Sequence, residues 1–230
     1  SLNVLNPGEI AATAGTSGVV YGITAEAKYN VKSRVNTFVH VNHATKKPRY
    51  GVLLCVNGTG ILNSWLKHNT GSTDYPEMDA MAGTAPVGSD GLVMLPFGNG
   101  AERTLENRNI GASIHGLNFN THNRAHMLRA TQEGIVFALN YGVEIMRKLG
   151  VKAKTVRAGH ANMFLSLLFS EAFATVTSSH VELFKTDGSQ GAARGAGIGA
   201  GIYRGPEDAF VGLTPVKTVE PNKKLTAAYA

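Results

Sequence analysis

The stretch Thr13-Ala14-Gly15-Thr16-Ser17-Gly18 decides how the rest of this 230-residue chain is read. The small apolar run Ile10-Ala11-Ala12 precedes it, and Val19-Val20-Tyr21 follows. Such a pattern predicts two short strands joined by a tight turn. Gly15 and Gly18 let the backbone take positive φ and let a ligand approach closely. Thr16 and Ser17 set hydroxyls beside a row of exposed backbone N–H groups, which suits a phosphate. On these six residues alone an ordinary hairpin is the simpler account, so the rest of the chain has to decide.

Composition narrows the choice. Hydrophobic residues make up 43% and charged residues 17%, with 27 glycines. The charged share is low against the usual ~25%, so a well-buried globular α/β chain is expected. No apolar run reaches the ~18 residues of a membrane span, and no basic-then-apolar leader is read, so the expected compartment is the cytoplasm. The single cysteine, Cys55, lies in the apolar run Val52-Leu53-Leu54-Cys55-Val56 and reads as a buried reduced thiol. Asn57-Gly58-Thr59 fits a glycosylation acceptor and is read as incidental. The net charge of +6 attracts anions. Lys and Arg are scattered, without the aromatic-interleaved stripe of a single-strand binder, so nucleic acid is not an expected partner. A small phosphorylated ligand or an acidic partner domain accounts for the charge equally well.

In chain order, Ser1–Leu5 has the apolar spacing of a helix end, broken by Pro7-Gly8, and suggests an excised domain. Strands are expected over 36–41, 50–56, 91–97, 152–157 and 180–184. Helices are expected over 61–68, 163–175, 187–203 and 206–213, and a long one over 124–149, stopped by Gly150. Residues 69–90 read as a polar, mobile surface segment with one helical turn at 76–81. The tail, 214–230, reads as polar and extended or wrapped. Strand–helix alternation after an early antiparallel part indicates an α/β domain with a mixed sheet and helices on both faces.

Three further turns lead from strands into helices: Asn57–Gly60, 158–162 and 187–191. Ligands of open α/β sheets bind beyond strand carboxyl ends, where helix N-termini offer free N–H groups to anions. Gly60 would let a nucleotide approach the start of its helix, with Ser64 one turn on. Gly159 would let a flat base slide across the backbone, and Asn162 supplies an amide. Together with the hairpin, these turns favour nucleotide binding. Other patterns fail on context. Gly195-Ala196-Gly197-Ile198-Gly199-Ala200 loosely fits a dinucleotide fingerprint, but no apolar strand feeds it directly, and its small residues read as a helix packed closely on the sheet. His122 and His126 have zinc-ligand spacing but lack the glutamate of a zinc protease. Ser17 is no nucleophile elbow, because Val19 stands where a glycine is required.

The chain resembles the C-terminal domain of the FGGY carbohydrate kinases. The likeness rests on Ala14-Gly15-Thr16-Ser17-Gly18, on Asn57-Gly58-Thr59-Gly60 with Trp65-Leu66, and on Leu95-Pro96-Phe97 before Glu102-Arg103. It continues through Gly116-Leu117, His126-Met127, Ala130-Thr131 and Glu133, then Ala158-Gly159 with Asn162, and Gly191-Ala192-Ala193. It runs from Gly8 to about Leu213, leaving 214–230 as a tail. Two positions depart: Gln132, where the family pattern has an apolar residue, and Ala158-Gly159-His160 in place of Gly-Gly-x.

The resemblance implies an actin-like ATPase (ribonuclease H-like) fold, ATP with Mg2+, and phosphoryl transfer to a sugar hydroxyl. It implies nucleotide contacts from Gly15, Thr16, Ser17, Gly60, Ser64, Gly159, His160 and Asn162. It implies no catalytic or metal-ligating residue within this chain. In the family the sugar pocket and general-base Asp lie in, or at the edge of, the N-terminal domain. That Asp is expected just upstream of Ser1, and the family's acidic Mg2+-organising residue is expected farther upstream. The expected partners are therefore that N-terminal domain and, mainly through it, the sugar; a homodimer stays open. Two other readings stay open: an actin-like nucleotide-binding module without kinase activity, and a Rossmann-type oxidoreductase.

Overall fold

In the computed structural model, residues 1–229 are described. Ile10–Ala14 (β1) and Gly18–Thr24 (β2) form the expected hairpin, with Ala14 opposite Gly18. Next come Asn36–Val39 (β3), Tyr50–Val56 (β4), Gly60–Asn69 (α1) and Tyr75–Ala82 (α2). Val93–Leu95 (β5) and Ser113–His115 (β6) precede the long helix Arg124–Lys148 (α3). Thr155–Gly159 (β7), Leu167–Val176 (α4), His180–Phe184 (β8), Gly188–Gly199 (α5), Pro206–Ala209 (α6) and Pro215–Val219 (β9) complete the chain.

The main sheet has the order β3-β4-β2-β1-β7-β8-β9. It is mixed: β1, β7 and β8 run parallel, and the other pairings are antiparallel. Alternation along the strands buries Val20, Val52, Leu54, Val56, Val181 and Leu183, while Val19, Leu53 and Glu182 stay half-buried. Helix α3 packs on β2 and β4, with α1, α2 and α4 around it. Its apolar residues Leu128, Ile135, Leu139, Val143 and Met146 are all buried, each contributing about 1.5–3 kcal/mol of transfer free energy. The Asn123 side chain caps it by accepting from the Ala125 N–H at 2.9 Å. Phe164, Phe169 and Phe173 fill the space beside α4, with two of the three ring pairs edge-to-face.

Several expectations are corrected. Ser1–Leu5 is not helical; Leu2 is buried, and Arg157 donates to the Asn3 carbonyl. The strand expected over 91–97 is three residues long and pairs with β6 outside the main sheet. The segment 69–90 is packed, not loose: Asp74 caps α2 through the Glu77 N–H, and Met78 and Ala82 lie in the core. The helix expected from 163 begins at Leu167, because residues Asn162–Leu165 make a 3-10 turn and Ser166 caps α4. Helix α5 does not pack on the sheet through its small residues. It lies on the surface, and Gly197 makes room for the Tyr203 ring. The tail supplies β9, an edge strand on β8.

The tail then returns to α3. The Tyr229 hydroxyl donates to Glu133 at 3.2 Å, where Arg129 Nε also donates at 2.7 Å and the Gly88 N–H at 3.1 Å. Glu133 is 2% exposed, so its charge depends on these partners. Burial, reinforced by the Glu133 charge, pushes the Tyr229 hydroxyl up to about 12. We expect Glu133→Ala to cost about 3–5 kcal/mol, since it strands the Arg129 charge. An unchanged denaturant midpoint would refute this. Tyr229 favours folding below its ordinary value of 10.0, and that contribution fades as pH rises toward about 12. Over that window, Tyr229→Phe is expected to flatten the alkaline loss of stability.

Candidate functional site

Strands β1 and β7 are parallel neighbours, with Ala12 beside Ala158, so the segments leaving them emerge at one edge of the sheet. There the β1–β2 turn meets the loop after β7: a Cβ placed on Gly15 would lie 3.7 Å from Asn162 Nδ2. Helix α1 closes the third side. The Gly60 N–H donates to the Gly15 carbonyl at 2.9 Å and the Ile61 N–H to the Thr16 carbonyl at 3.1 Å. Between these pieces lies a cleft of about 610 Å3. Gly15, Thr16, Gly60, Ser64 and Asn162 line it, and α2 contributes Tyr75, Pro76 and Asp79.

Five of the eight residues singled out from sequence therefore share one cavity. Ser17, Gly159 and His160 are not among its lining residues. The Ser17 hydroxyl lies near the Cys55 thiol, which burial pushes up. Gly159 ends β7 opposite Phe184, and exposed His160 uses its N–H on the Phe184 carbonyl at 2.8 Å. Asn162 is exposed and takes a left-handed backbone, φ 52°. The first N–H groups of α1 are not free for an anion, contrary to expectation, because the hairpin carbonyls occupy them. Gly60 is required by that junction: a Cβ there would overlap the Gly15 carbonyl group, lying 2.9 Å from its carbon.

Two carboxylates shape the surroundings. Glu102, 0% exposed, accepts the Asn57 N–H through both oxygens, at 2.9 and 3.1 Å. It holds the loop that feeds α1; burial raises its affinity for a proton, and the Asn57 and Gly58 N–H groups oppose that. Asp79 faces the cleft and accepts from Gln132 Nε2 at 2.7 Å, while Ser166 Oγ donates to Gln132 Oε1 at 2.9 Å. Burial pushes the Asp79 carboxyl up, against the hydrogen bond from Gln132. Sequence reading missed Asp79, Tyr75 and Asn63; only the departure at Gln132 pointed toward this wall. The His122 and His126 rings lie 5.4 Å apart, tilted by 55°, and His126 Nε2 lies 3.1 Å from Asp90. No group of three or more His, Cys, Asp and Glu arranged to hold a metal occurs among the described residues.

Residues 10–202 match the FGGY family of carbohydrate kinases, C-terminal domain. The chain belongs to this family. It is 31% identical over 188 residues to a xylulose kinase of Haemophilus influenzae, covering 81% of this chain and 36% of that protein. It is 28% identical over 149 residues to a gluconokinase of Bacillus subtilis, covering 60% of this chain and 28% of that protein. Its fold is similar to that of a ligand-bound xylulose kinase from Lactobacillus acidophilus, with a TM-score of 0.86 at 24% identity, over 99% of this chain and 46% of the other. The family has the actin-like ATPase fold, which the mixed sheet reproduces. The chain thus spans less than half the length of these relatives. Among the described residues no helix is long and apolar enough to cross a membrane.

Gly60→Ala tests the junction. It is expected to destabilise by about 1–3 kcal/mol through overpacking. Thermal unfolding checks this; an unshifted midpoint would mean that the turn and helix separate freely.

Proposed function

We propose that this chain is the nucleotide-binding half of an ATP-dependent sugar kinase acting on D-xylulose, forming ADP and D-xylulose 5-phosphate. The observation that carries the reading is the convergence of Gly15, Thr16, Gly60, Ser64 and Asn162 on one cleft. The xylulose kinases among its relatives support the choice of sugar. A related gluconokinase keeps a second sugar class open, since the residues lining the cleft are those expected to meet nucleotide, not sugar.

In this reading residues 1–213 form the body of the C-terminal domain, and the 214–230 tail adds to it through β9 and Tyr229. The Thr16 hydroxyl, exposed at the tip of the turn, donates to a phosphate oxygen, while Ser64 and Asn162 bound the nucleotide on either side. These neutral groups fit a polyphosphate that carries its own Mg2+, an ion usually held by substrate phosphates and few carboxylates. Catalysis of this kind is mainly positioning and charge neutralisation, with an Asp taking the hydroxyl proton. That Asp and the sugar pocket are assigned to the partner N-terminal domain, and closure of the two domains excludes water. Gly159 and His160 act from behind Asn162, shaping the loop, and Ser17 steadies the turn.

Two outcomes test the reading. Thr16→Val keeps the branched shape and removes the hydroxyl. It is expected to weaken ADP binding by about 1.5–3 kcal/mol, the worth of a hydrogen bond to a charged group. Calorimetry showing equal affinity would remove Thr16 from the site. The 230 residues alone are expected to bind nucleotide without phosphorylating sugar, because the advantage of holding two reactants together, about 7–11 kcal/mol, is absent. A coupled assay with D-xylulose and Mg-ATP reads this; clear turnover would mean that the catalytic base lies within the chain.

A further inference from the structure

The wall of the cleft made by α2 has a chemistry of its own. Gln132 is 1% exposed and Ser166 5% exposed. Both ends of the Gln132 amide are engaged: Nε2 donates to Asp79 Oδ1 and Oε1 accepts from Ser166. The amide cannot flip without losing both bonds, so it fixes which way the carboxylate presents itself. A carboxylate has about four acceptor positions, and Gln132 fills one of them. Across the cleft, Asn63 on α1 is 7% exposed, and its Oδ1 is buried without a hydrogen-bond partner. Asp79 is thus the under-used acceptor that lines the cleft, and the Asn63 oxygen is enclosed in its wall.

An ionised carboxylate repels phosphate, so the polyphosphate belongs at the Thr16 end and another part of the ligand meets α2. Tyr75 and Leu165, 43% and 60% exposed, border the same space and offer apolar surface to a flat ring. We propose that Asp79, oriented by Gln132, is a specificity-determining residue that selects nucleotides whose base carries an exocyclic amine, the amine donating to the Asp79 carboxylate. This rests on the nucleotide reading of the cleft and adds to it a rule for the base. Gln132 acts as a positioning residue.

The test compares ADP with purine riboside 5′-diphosphate, which lacks only the 6-amino group, by calorimetric titration of the 230-residue chain. The wild type is expected to prefer ADP about 10-fold or more, as a hydrogen bond to a charged acceptor would give. In Asp79→Asn, Gln132 still donates to the remaining oxygen and turns the new NH2 toward the base. Its preference for ADP is expected to vanish, through weaker ADP binding with the analogue unchanged. Gln132→Leu places an apolar residue where the family pattern has one; it is expected to shrink the ratio while leaving analogue binding intact. Thermal unfolding verifies that each variant is folded. Equal affinity of the wild type for the two ligands, or an unchanged ratio in Asp79→Asn, overturns the base rule and leaves the nucleotide reading standing. Failure of the folded wild type to bind either ligand overturns both.

Discussion

Two backbone hydrogen bonds, from the N–H groups of Gly60 and Ile61 to the carbonyls of Gly15 and Thr16, join the hairpin turn to the start of α1. The layout of the cleft depends on that junction. It spends donors that a helix N-terminus otherwise offers to an anion. The next two, on Leu62 and Asn63, turn back to the Thr59 carbonyl. A ligand is left the outer side of the turn, the Thr16 hydroxyl and the side chains of Ser64 and Asn162. The helix dipole still points its positive end into the cleft, since its alignment does not depend on which acceptor the N–H groups meet. The approach to α1 is fixed from below as well, by Glu102 gripping the Asn57 N–H.

Helix α3 carries the second constraint. It is the hub of the core, yet it buries Arg129, Gln132 and Glu133 in succession. Buried polar groups are tolerable only when satisfied, and these are satisfied by one another and by segments distant in the chain. Glu133 gathers the loop at Gly88 and the tail at Tyr229. Gln132 gathers α2 and the start of α4. Arg129 reaches the Ala85 carbonyl. A purely apolar hub would hold the helices together without dictating their register. These residues set where the α2 segment and the tail lie against it.

The parts legible in the sequence were those whose signal is local. The hairpin, β4 and α3 each announce themselves by alternation, β-branching or a 3.6-residue period. Likewise Gly15, Thr16, Gly60, Ser64 and Asn162 stand at Gly-marked turns after strands. The parts that were not legible depend on distant partners. Strand β9 is mostly exposed and exists because β8 offers an edge. Helix α2 reads as a polar surface segment until its Met78 and Ala82 meet α3. Ser1–Leu5 has helical spacing, but Arg157 takes the Asn3 carbonyl and Asn3 itself adopts a left-handed φ of 51°, so no helix forms there. Asp79 and Asn63 were invisible because neither residue has meaning until α1 and α2 face each other across the cleft.

The charge balance of the cleft bears on how a nucleotide would be held. No lysine or arginine is among the described residues that line it, and its one acidic residue, Asp79, sits on the α2 wall. Hydroxyl and amide donors orient a phosphate well, but neutral hydrogen bonds are roughly half as strong as charge-assisted ones. Under the proposed function the phosphate charge must then be balanced by a divalent ion travelling with the nucleotide and by groups across the cleft. Such a division has a kinetic use. A half-site that binds phosphates through neutral groups holds product loosely once the opposite half withdraws, and tightens only while both halves are in place. Under that reading the chain's contribution is mainly geometric, a rigid turn docked on a helix, and the charge of the phosphates is met from the domain that would close over it.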